Sequence, residues 1–401
     1  MSTSLFAAVE LAPRDPILGL TEAFNADARV TKVNLGVGVY YNDDGKLPLL
    51  AAVKEAEAAR LKTQPPRGYQ AIDGNAAYNQ AVRELLFGTG SERASDGSVV
   101  TIQALGGTGA LKVGADYLKQ LLPQSTLYIS DPSWENHLAL FSAAGFPVET
   151  YPYYDPATRG VNFNALLQKL ATLPAKSIVL LHACCHNPTG ADLTSEQWTR
   201  VAAVLKEKNL VPFLDMAYQG FADGIEPDTA AVRAFSAAGA QFFVSSSFSK
   251  NFSLYGERVG ALSVVTASKE EAGRVLSQIK RVIRTNYSNP PTHGGAIVAA
   301  VLTTPELRKI WEDELTGMRN RIRSVRQGLA DALKATGTTH DFSFIVKQRG
   351  MFSYTGLTKE QVERLKTEFG IYAVSSGRIN VAALNSKNLP IVAEAIAAVV
   401  K

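Results

Sequence analysis

From about residue 98 to residue 265 the chain alternates short, continuously apolar runs with stretches of helical spacing, and few folds accept that pattern. Leu127–Ser130, Pro147–Tyr151, Ser177–His182, Leu210–Leu214, Gln241–Ser245 and Gly260–Val265 have the length and composition of strands. Between them Gly109–Leu122, Trp134–Ala144, Phe163–Leu173, Ser195–Glu207 and Thr229–Ala238 read as helices. A strand that is apolar throughout has both faces buried, and strands joined through helices run parallel. The pattern predicts an α/β fold on a mostly parallel sheet covered on both faces. Ligands of such sheets bind beyond the carboxyl ends of the strands, so the residues just after each apolar run are the ones to search.

The flanking segments read differently. Residues 1–16, with Pro13 and Pro16, predict an extended arm. Lys32–Tyr41 predicts a strand that turns at Asn42-Asp43-Asp44-Gly45. Residues 50–62 are Ala/Glu/Lys-rich and helical, and Asn75–Phe87 forms a second helix stopped by Gly88. A long helix over Pro305–Ala335 places seven Arg and Lys on an expected solvated face. It leads into a C-terminal α+β portion with strands near Phe342–Ile345 and Arg378–Ala382.

Composition excludes several function classes. The 401 residues carry 41 Lys+Arg against 37 Asp+Glu, a net charge of +4 with no basic run, which argues against nucleic acid as a partner. No window supplies the ~18 apolar residues of a membrane span, and the N-terminal sequence does not read as a signal peptide. The only cysteines, Cys184 and Cys185, are adjacent, which fits a reducing, cytoplasmic compartment. With His186 they are contiguous and cannot converge on a tetrahedral ion, so no metal is expected. His137, His182, His186, His293 and His340 form no helix-face pair and are read as structural.

Chemistry concentrates in Ser245-Ser-Ser-Phe-Ser-Lys-Asn-Phe-Ser-Leu-Tyr-Gly-Glu-Arg-Val-Gly260. Lys250 falls where a strand runs out, among hydroxyls; a lysine desolvated there loses its proton and can form a Schiff base with an aldehyde. Ser247, Ser249 and Arg258 would suit a phosphate, which a guanidinium binds through two donors. An exposed lysine in a polar loop is the plain alternative for a Ser-Lys pair taken alone.

The whole string resembles the class I pyridoxal-phosphate aminotransferases, specifically the bacterial aspartate and aromatic amino-acid enzymes. The resemblance runs from Pro16-Ile-Leu-Gly-Leu20 to Ser376-Gly-Arg-Ile-Asn380. It implies the type I pyridoxal-phosphate-dependent transferase fold, with an arm (1–16), a small α+β domain (17–47 with 316–401) and a large cofactor-binding domain (48–315). It also implies a homodimer with shared active sites, and amino acids and 2-oxo acids as substrates.

Residue roles follow from the same resemblance. Lys250 would hold pyridoxal 5'-phosphate and carry the substrate proton. Asp215, at the end of Leu210-Val-Pro-Phe-Leu-Asp-Met-Ala-Tyr-Gln-Gly220, would keep the ring nitrogen protonated, and Tyr218 would reach the phenolic oxygen. A helix cap is the other reading of Asp215. Asn187, in His182-Ala-Cys-Cys-His-Asn-Pro-Thr-Gly190, would bind that oxygen and lie near the substrate carboxylate. Gly107 and Thr108, in Ala104-Leu-Gly-Gly-Thr-Gly-Ala110, would cup the phosphate at a helix start. A dinucleotide fold competes for that motif, but the G-x-G-x-x-G spacing is absent. Trp134 would stack on the ring, Arg378 would fork onto the substrate α-carboxylate, and Gly38 would line the substrate site. Tyr69 and Arg284 would serve the neighbouring subunit, on the phosphate and on a dicarboxylate side chain.

Substrate signals are mixed. Arg284 and Asn289 resemble aspartate enzymes, whereas Tyr40-Tyr41-Asn42, Leu105-Gly-Gly and Asp192-Leu-Thr resemble aromatic ones. The expectation is transfer from tyrosine, phenylalanine, tryptophan or aspartate to 2-oxoglutarate. A strict aspartate aminotransferase is the alternative, and a pyridoxal-phosphate-binding regulator without turnover the more distant one.

Overall fold

The computed structural model describes residues 4–12 and 17–401, so Pro13, Pro16 and the rest of the expected arm at 1–3 and 13–16 lie outside the described residues. Seven strands form the central sheet: β1 (Val99–Leu105), β2 (Leu127–Asp131), β3 (Val148–Pro152), β4 (Ile178–His182), β5 (Val211–Met216), β6 (Phe242–Ser247) and β7 (Val259–Val265). Their order is β1-β7-β6-β5-β4-β2-β3. Only β7 runs antiparallel to its neighbours, β1 and β6; the other pairs are parallel. This is the predicted mostly parallel sheet.

Six of the seven strands match expected apolar runs, and β1 was not foreseen. Its Thr101 and Gln103 interrupt the apolar signal, yet both are buried. Thr101 Oγ1 lies 2.9 Å from Ser263 Oγ on β7, and Gln103 Nε2 donates to the Pro291 carbonyl at 2.9 Å. Polar groups satisfied in this way cost little inside a sheet.

Helices cover both faces. Gly106–Leu121 and Lys269–Asn286 bury Leu111, Val113, Ile279 and Ile283 against Ile102, Phe213 and Leu262 on one side. The other face packs Trp198, Val201, Phe235, Trp311 and Leu315 into a larger core. Ser195–Glu207 begins with a reciprocal capping box, Thr194 with Gln197, as its sequence dictates. The long helix spans Pro305–Ala335 as expected. Its basic residues are not all solvated, however: Arg326 is buried and donates to backbone carbonyls.

Two further expectations are corrected. Lys32–Tyr41 is a strand only at Val33–Asn34, which pairs in parallel with Ile371–Tyr372. Beyond it, side chains replace a strand partner: Asn380 Nδ2 donates to the Val37 and Val39 carbonyls, each at 2.7 Å. Phe342–Ile345 is no strand. Ser343–Lys347 forms a 3₁₀ turn, opened by Asp341 Oδ1 accepting from the Ser343 N–H at 2.8 Å. Arg378–Asn380 is a strand as expected, antiparallel to Phe352–Tyr354, but Val381–Ala383 turns as a 3₁₀ helix. Among the described residues no helix is long and apolar enough to cross a membrane.

Candidate active site

A cavity of about 240 Å³ opens at the carboxyl ends of β4, β5 and β6. Gly38, Gly107, Thr108, Trp134, Asn187, Asp215, Tyr218, Ser247, Ser249, Lys250 and Arg258 all line it. Eleven of the expected site residues, from six separate stretches of chain, therefore meet in one place. Arg378 stands directly behind, donating from Nη1 to Asn187 Oδ1 at 3.0 Å and from Nη2 to the Gly36 carbonyl at 2.6 Å.

Parallel pairing sets the chemistry. The β4–β5 register places His182 beside Asp215, and the β5–β6 register places Asp215 beside Ser245, so the turn after β6 brings Lys250 to the same sheet end. Lys250 Nζ lies 4.9 Å from the Tyr218 ring centre. Although the residue keeps some exposed surface, its amine is desolvated and pushed down to about 8. Loss of water is the main cause; the cations Arg258 and Arg378 add to it, and Asp215 opposes it.

Asp215 is buried, which by itself raises a carboxyl pKa. The hydrogen bond from His137, with the nearby His137 and His182 rings and the Lys250 amine, outweighs burial and holds Asp215 below its ordinary value. His137 Nε2 is 2.8 Å from Asp215 Oδ2, and its Nδ1 is 2.9 Å from Ser133 Oγ. Because an ionised carboxylate only accepts, we assign the proton to Nε2, and Nδ1 then accepts from the serine hydroxyl. His182 accepts from the Asn187 N–H through Nδ1 at 3.3 Å, and burial, then its neighbour His137, pushes it down to about 3.

At the other end, the helix Gly106–Leu121 points its N-terminus into the cavity. Gly106 has φ +69°, and a Cβ there would lie 2.5 Å from Arg258 Nη2, so only glycine lets the guanidinium lie against the helix start. Arg258 Nη1 donates to Ser249 Oγ at 3.3 Å, and Arg258 has no carboxylate partner among the described residues. Backbone N–H groups, three hydroxyls and an uncompensated guanidinium form a donor set matched to a phosphate. An anionic Asp215, an enclosed amine and Trp134 complete a site that fits pyridoxal phosphate. Among the described residues no His, Cys, Asp or Glu cluster is arranged to hold a metal ion.

The sequence profile of aminotransferase class I and II matches residues 30–396. The chain belongs to this aminotransferase family. An aspartate aminotransferase of Pseudomonas aeruginosa is 66% identical over 393 residues, 98% of this chain and 99% of that one. The aromatic-amino-acid aminotransferase of Escherichia coli is 54% identical over 397 residues, 98% of this chain and 100% of that enzyme. In three dimensions this aminotransferase is similar to an aromatic-amino-acid aminotransferase from Burkholderia pseudomallei, covalently bound to pyridoxal phosphate. Their TM-score is 0.97 at 67% identity, with both chains fully covered.

Two expected residues stand away from this aminotransferase's own cavity. Tyr69 is 96% exposed, and Arg284, exposed in the last turn of its helix, donates to Ser288 Oγ. Sequence reasoning missed others. Tyr255 lines the cavity, and its hydroxyl accepts from the Tyr40 N–H at 2.9 Å. It sits in the same Ser245–Gly260 string as Lys250, five residues on, where its sequence position is the signal. His137 was set aside as structural, and its contact with Asp215 joins residues 78 apart in sequence.

Proposed function

We propose that this aspartate/aromatic aminotransferase moves the amino group of tyrosine, phenylalanine, tryptophan or aspartate to 2-oxoglutarate, in two half-reactions that leave a 2-oxo acid and glutamate. Pyridoxal phosphate, the cofactor, supplies an aldehyde that condenses with amines and a ring that accepts electrons while its nitrogen is protonated. Lys250 would be the covalent anchor for it, and its amine would carry the proton taken from the substrate Cα. Asp215, oriented by His137, would pair with the ring nitrogen and keep it protonated. Gly107, Thr108, Ser247, Ser249 and Arg258 bind the phosphate. Tyr218 and Asn187 would hydrogen-bond the cofactor's phenolic oxygen, and Trp134 would stack on the ring. Arg378 binds the substrate α-carboxylate, with Gly38 lining the space beside it.

The observation that carries this reading is that Lys250 shares one cavity with Asp215, Asn187 and Tyr218 and with the phosphate-type donors Gly107, Thr108, Ser247, Ser249 and Arg258, its amine desolvated there. A lysine meant only as a surface charge would not be desolvated in this way.

The active unit in this reading is a homodimer in the cytoplasm. Tyr69 and Arg284 are exposed and off their own cavity, which supports their serving the partner's site. Two buried free thiols fit a reducing compartment. Residues 17–47 with 316–401 act as a small domain against 48–315. The pairing of Val33–Asn34 with Ile371–Tyr372 and the Asn380 clamp on residues 37–39 support that grouping.

The relatives include aspartate and aromatic enzymes at near-equal identity, so a strict aspartate enzyme is the second reading. Single-donor kinetics decide between them. Catalytic efficiencies with phenylalanine and tyrosine within about tenfold of aspartate support the dual enzyme. Negligible rates with all three aromatic donors leave the strict one.

A further inference from the structure

Arg326 lies in the middle of the long helix, far in sequence from every residue in the site, and only 2% of its surface is exposed. It has no carboxylate partner among the described residues. Instead its guanidinium gathers backbone carbonyls from one short segment. Nη1 donates to Ile345 at 3.1 Å, and Nη2 donates to Gly350 at 2.8 Å, to Phe352, and more weakly to Arg349 at 3.4 Å. Burying a cation without a counter-ion is costly, and removing it from a surface of carbonyls would leave those oxygens unpaired as well.

The gathered segment ends on Phe352, whose ring packs behind the cavity against Arg378, Tyr218 and Gly38. The Arg378 guanidinium carbon lies 4.3 Å from the Phe352 ring centre, a cation–π contact. The same ring meets Tyr218 edge-on at 5.9 Å. A Cβ built on Gly38 would lie 2.8 Å from Phe352 Cζ, so the ring also fills the space behind the Gly38 strip. Phe352 thus packs against Arg378, Tyr218 and Gly38; strand pairing holds one edge of its backbone against Asn380, and Arg326 holds its carbonyl.

We propose that Arg326 is a positioning residue for the substrate-carboxylate arginine: it fixes the 345–352 segment so that the Phe352 ring lies under Arg378 and keeps its guanidinium aimed at the substrate. This rests on the reading of Arg378 given above. The planar fork is what the task requires, since one guanidinium reaches carbonyls on both sides of the turn. A lysine at 326 keeps the charge but presents a single point of donors. The loosened segment would let the ring drift, and Arg378 would lose part of its alignment.

The test is a half-reaction titration of the holoenzyme with L-aspartate and with L-phenylalanine, on Arg326→Lys, Phe352→Leu, the double variant and an Arg378→Lys control. Arg326→Lys is expected to raise the half-saturating concentration of both donors roughly tenfold, the scale of a lost cation–π alignment, while the limiting rate stays within about twofold. Cofactor occupancy and the absorbance of the unreacted enzyme should not change. Phe352→Leu should show the same split, and the double variant should be less impaired than the product of the singles, because both act through one contact.

A merely structural arginine would lower stability and occupancy without a selective loss of substrate affinity. Loss of cofactor or fold in Arg326→Lys, or a limiting rate that falls as far as affinity, would overturn the proposal. So would Phe352→Leu with unchanged affinity. If Arg378→Lys itself leaves affinity intact, the carboxylate assignment fails, and this inference falls with it; if only Arg326→Lys is silent, the assignment survives and the inference does not.

Discussion

His137 Nε2 lies 2.8 Å from Asp215 Oδ2, with both side chains withdrawn from water. A buried carboxylate with one strong donor stays ionised, and this one is held below its ordinary pKa despite burial. The imidazole is itself fixed by Ser133, 2.9 Å from its Nδ1. The Asp215 end of the site is therefore built as a chain of hydrogen bonds rather than as a single acid.

Replacing Asp215 by Asn should keep the cofactor bound while lowering the half-reaction rate by at least roughly 10²-fold, the scale of a lost preorganised charge. Asp215→Glu should be milder, because it retains the negative partner. Single-turnover rates measure both. Near-wild-type behaviour of the two variants would reduce Asp215 to a buried partner of His137 with no part in the reaction.

Apoprotein should attach pyridoxal phosphate covalently at a rate governed by the Lys250 amine. That amine is pushed down to about 8, chiefly by burial. Only the unprotonated form reacts, so the attachment rate should rise about tenfold per pH unit below 8 and level off above it. The same shift has a stability consequence. A lysine whose folded pKa is lowered from 10.5 disfavours the folded apoprotein at low pH, and that penalty fades as pH climbs from about 8 towards 10.5. Attachment followed by absorbance against pH checks the first, and thermal unfolding of the apoprotein checks the second.

Arg284→Ala should lower catalytic efficiency with aspartate by roughly 10²–10³-fold, the effect of a charge-assisted pair worth about 3–4 kcal/mol. Phenylalanine should lose far less, since its side chain needs no cation. Steady-state kinetics with each donor measure the difference, and equal losses would make Arg284 structural.

Subunit sharing predicts complementation. Mixed dimers of Lys250→Ala and Arg284→Ala chains should contain one site with both residues intact and regain part of the dicarboxylate activity. Lys250→Ala mixed with Arg378→Ala should regain none, because those two residues act within one chain. Activity of purified heterodimers reads both cases, and no recovery in the first would reject the cross-interface assignment.

Much of this site was legible because its chemistry sits at strand ends. Lys250, Asp215 and Asn187 each follow an apolar run, and a parallel sheet brings such positions together whatever their distance along the chain. The phosphate end was legible for another reason, since glycines before a helix leave a local mark. The unseen parts are long-range polar contacts. Nothing near His137 announces a partner at 215, and nothing near Arg326 marks it as buried among carbonyls. β1 escaped notice because Thr101 and Gln103 find partners that only the folded sheet supplies. The strand expected at Lys32–Tyr41 failed in the opposite sense: its alternation is real, but side chains of Arg378, Asn380 and Tyr255 take most of the bonds a neighbouring strand would have made.

The most direct measurement is a single turnover without acceptor. L-phenylalanine and L-aspartate are each added to fully loaded enzyme, and the 2-oxo acid released is counted per subunit. One equivalent from either donor, none from Lys250→Ala, and stoichiometric glutamate on later addition of 2-oxoglutarate is the predicted result. Full product formation by Lys250→Ala at the wild-type rate, or no oxo acid from the loaded wild type with either donor, would contradict it.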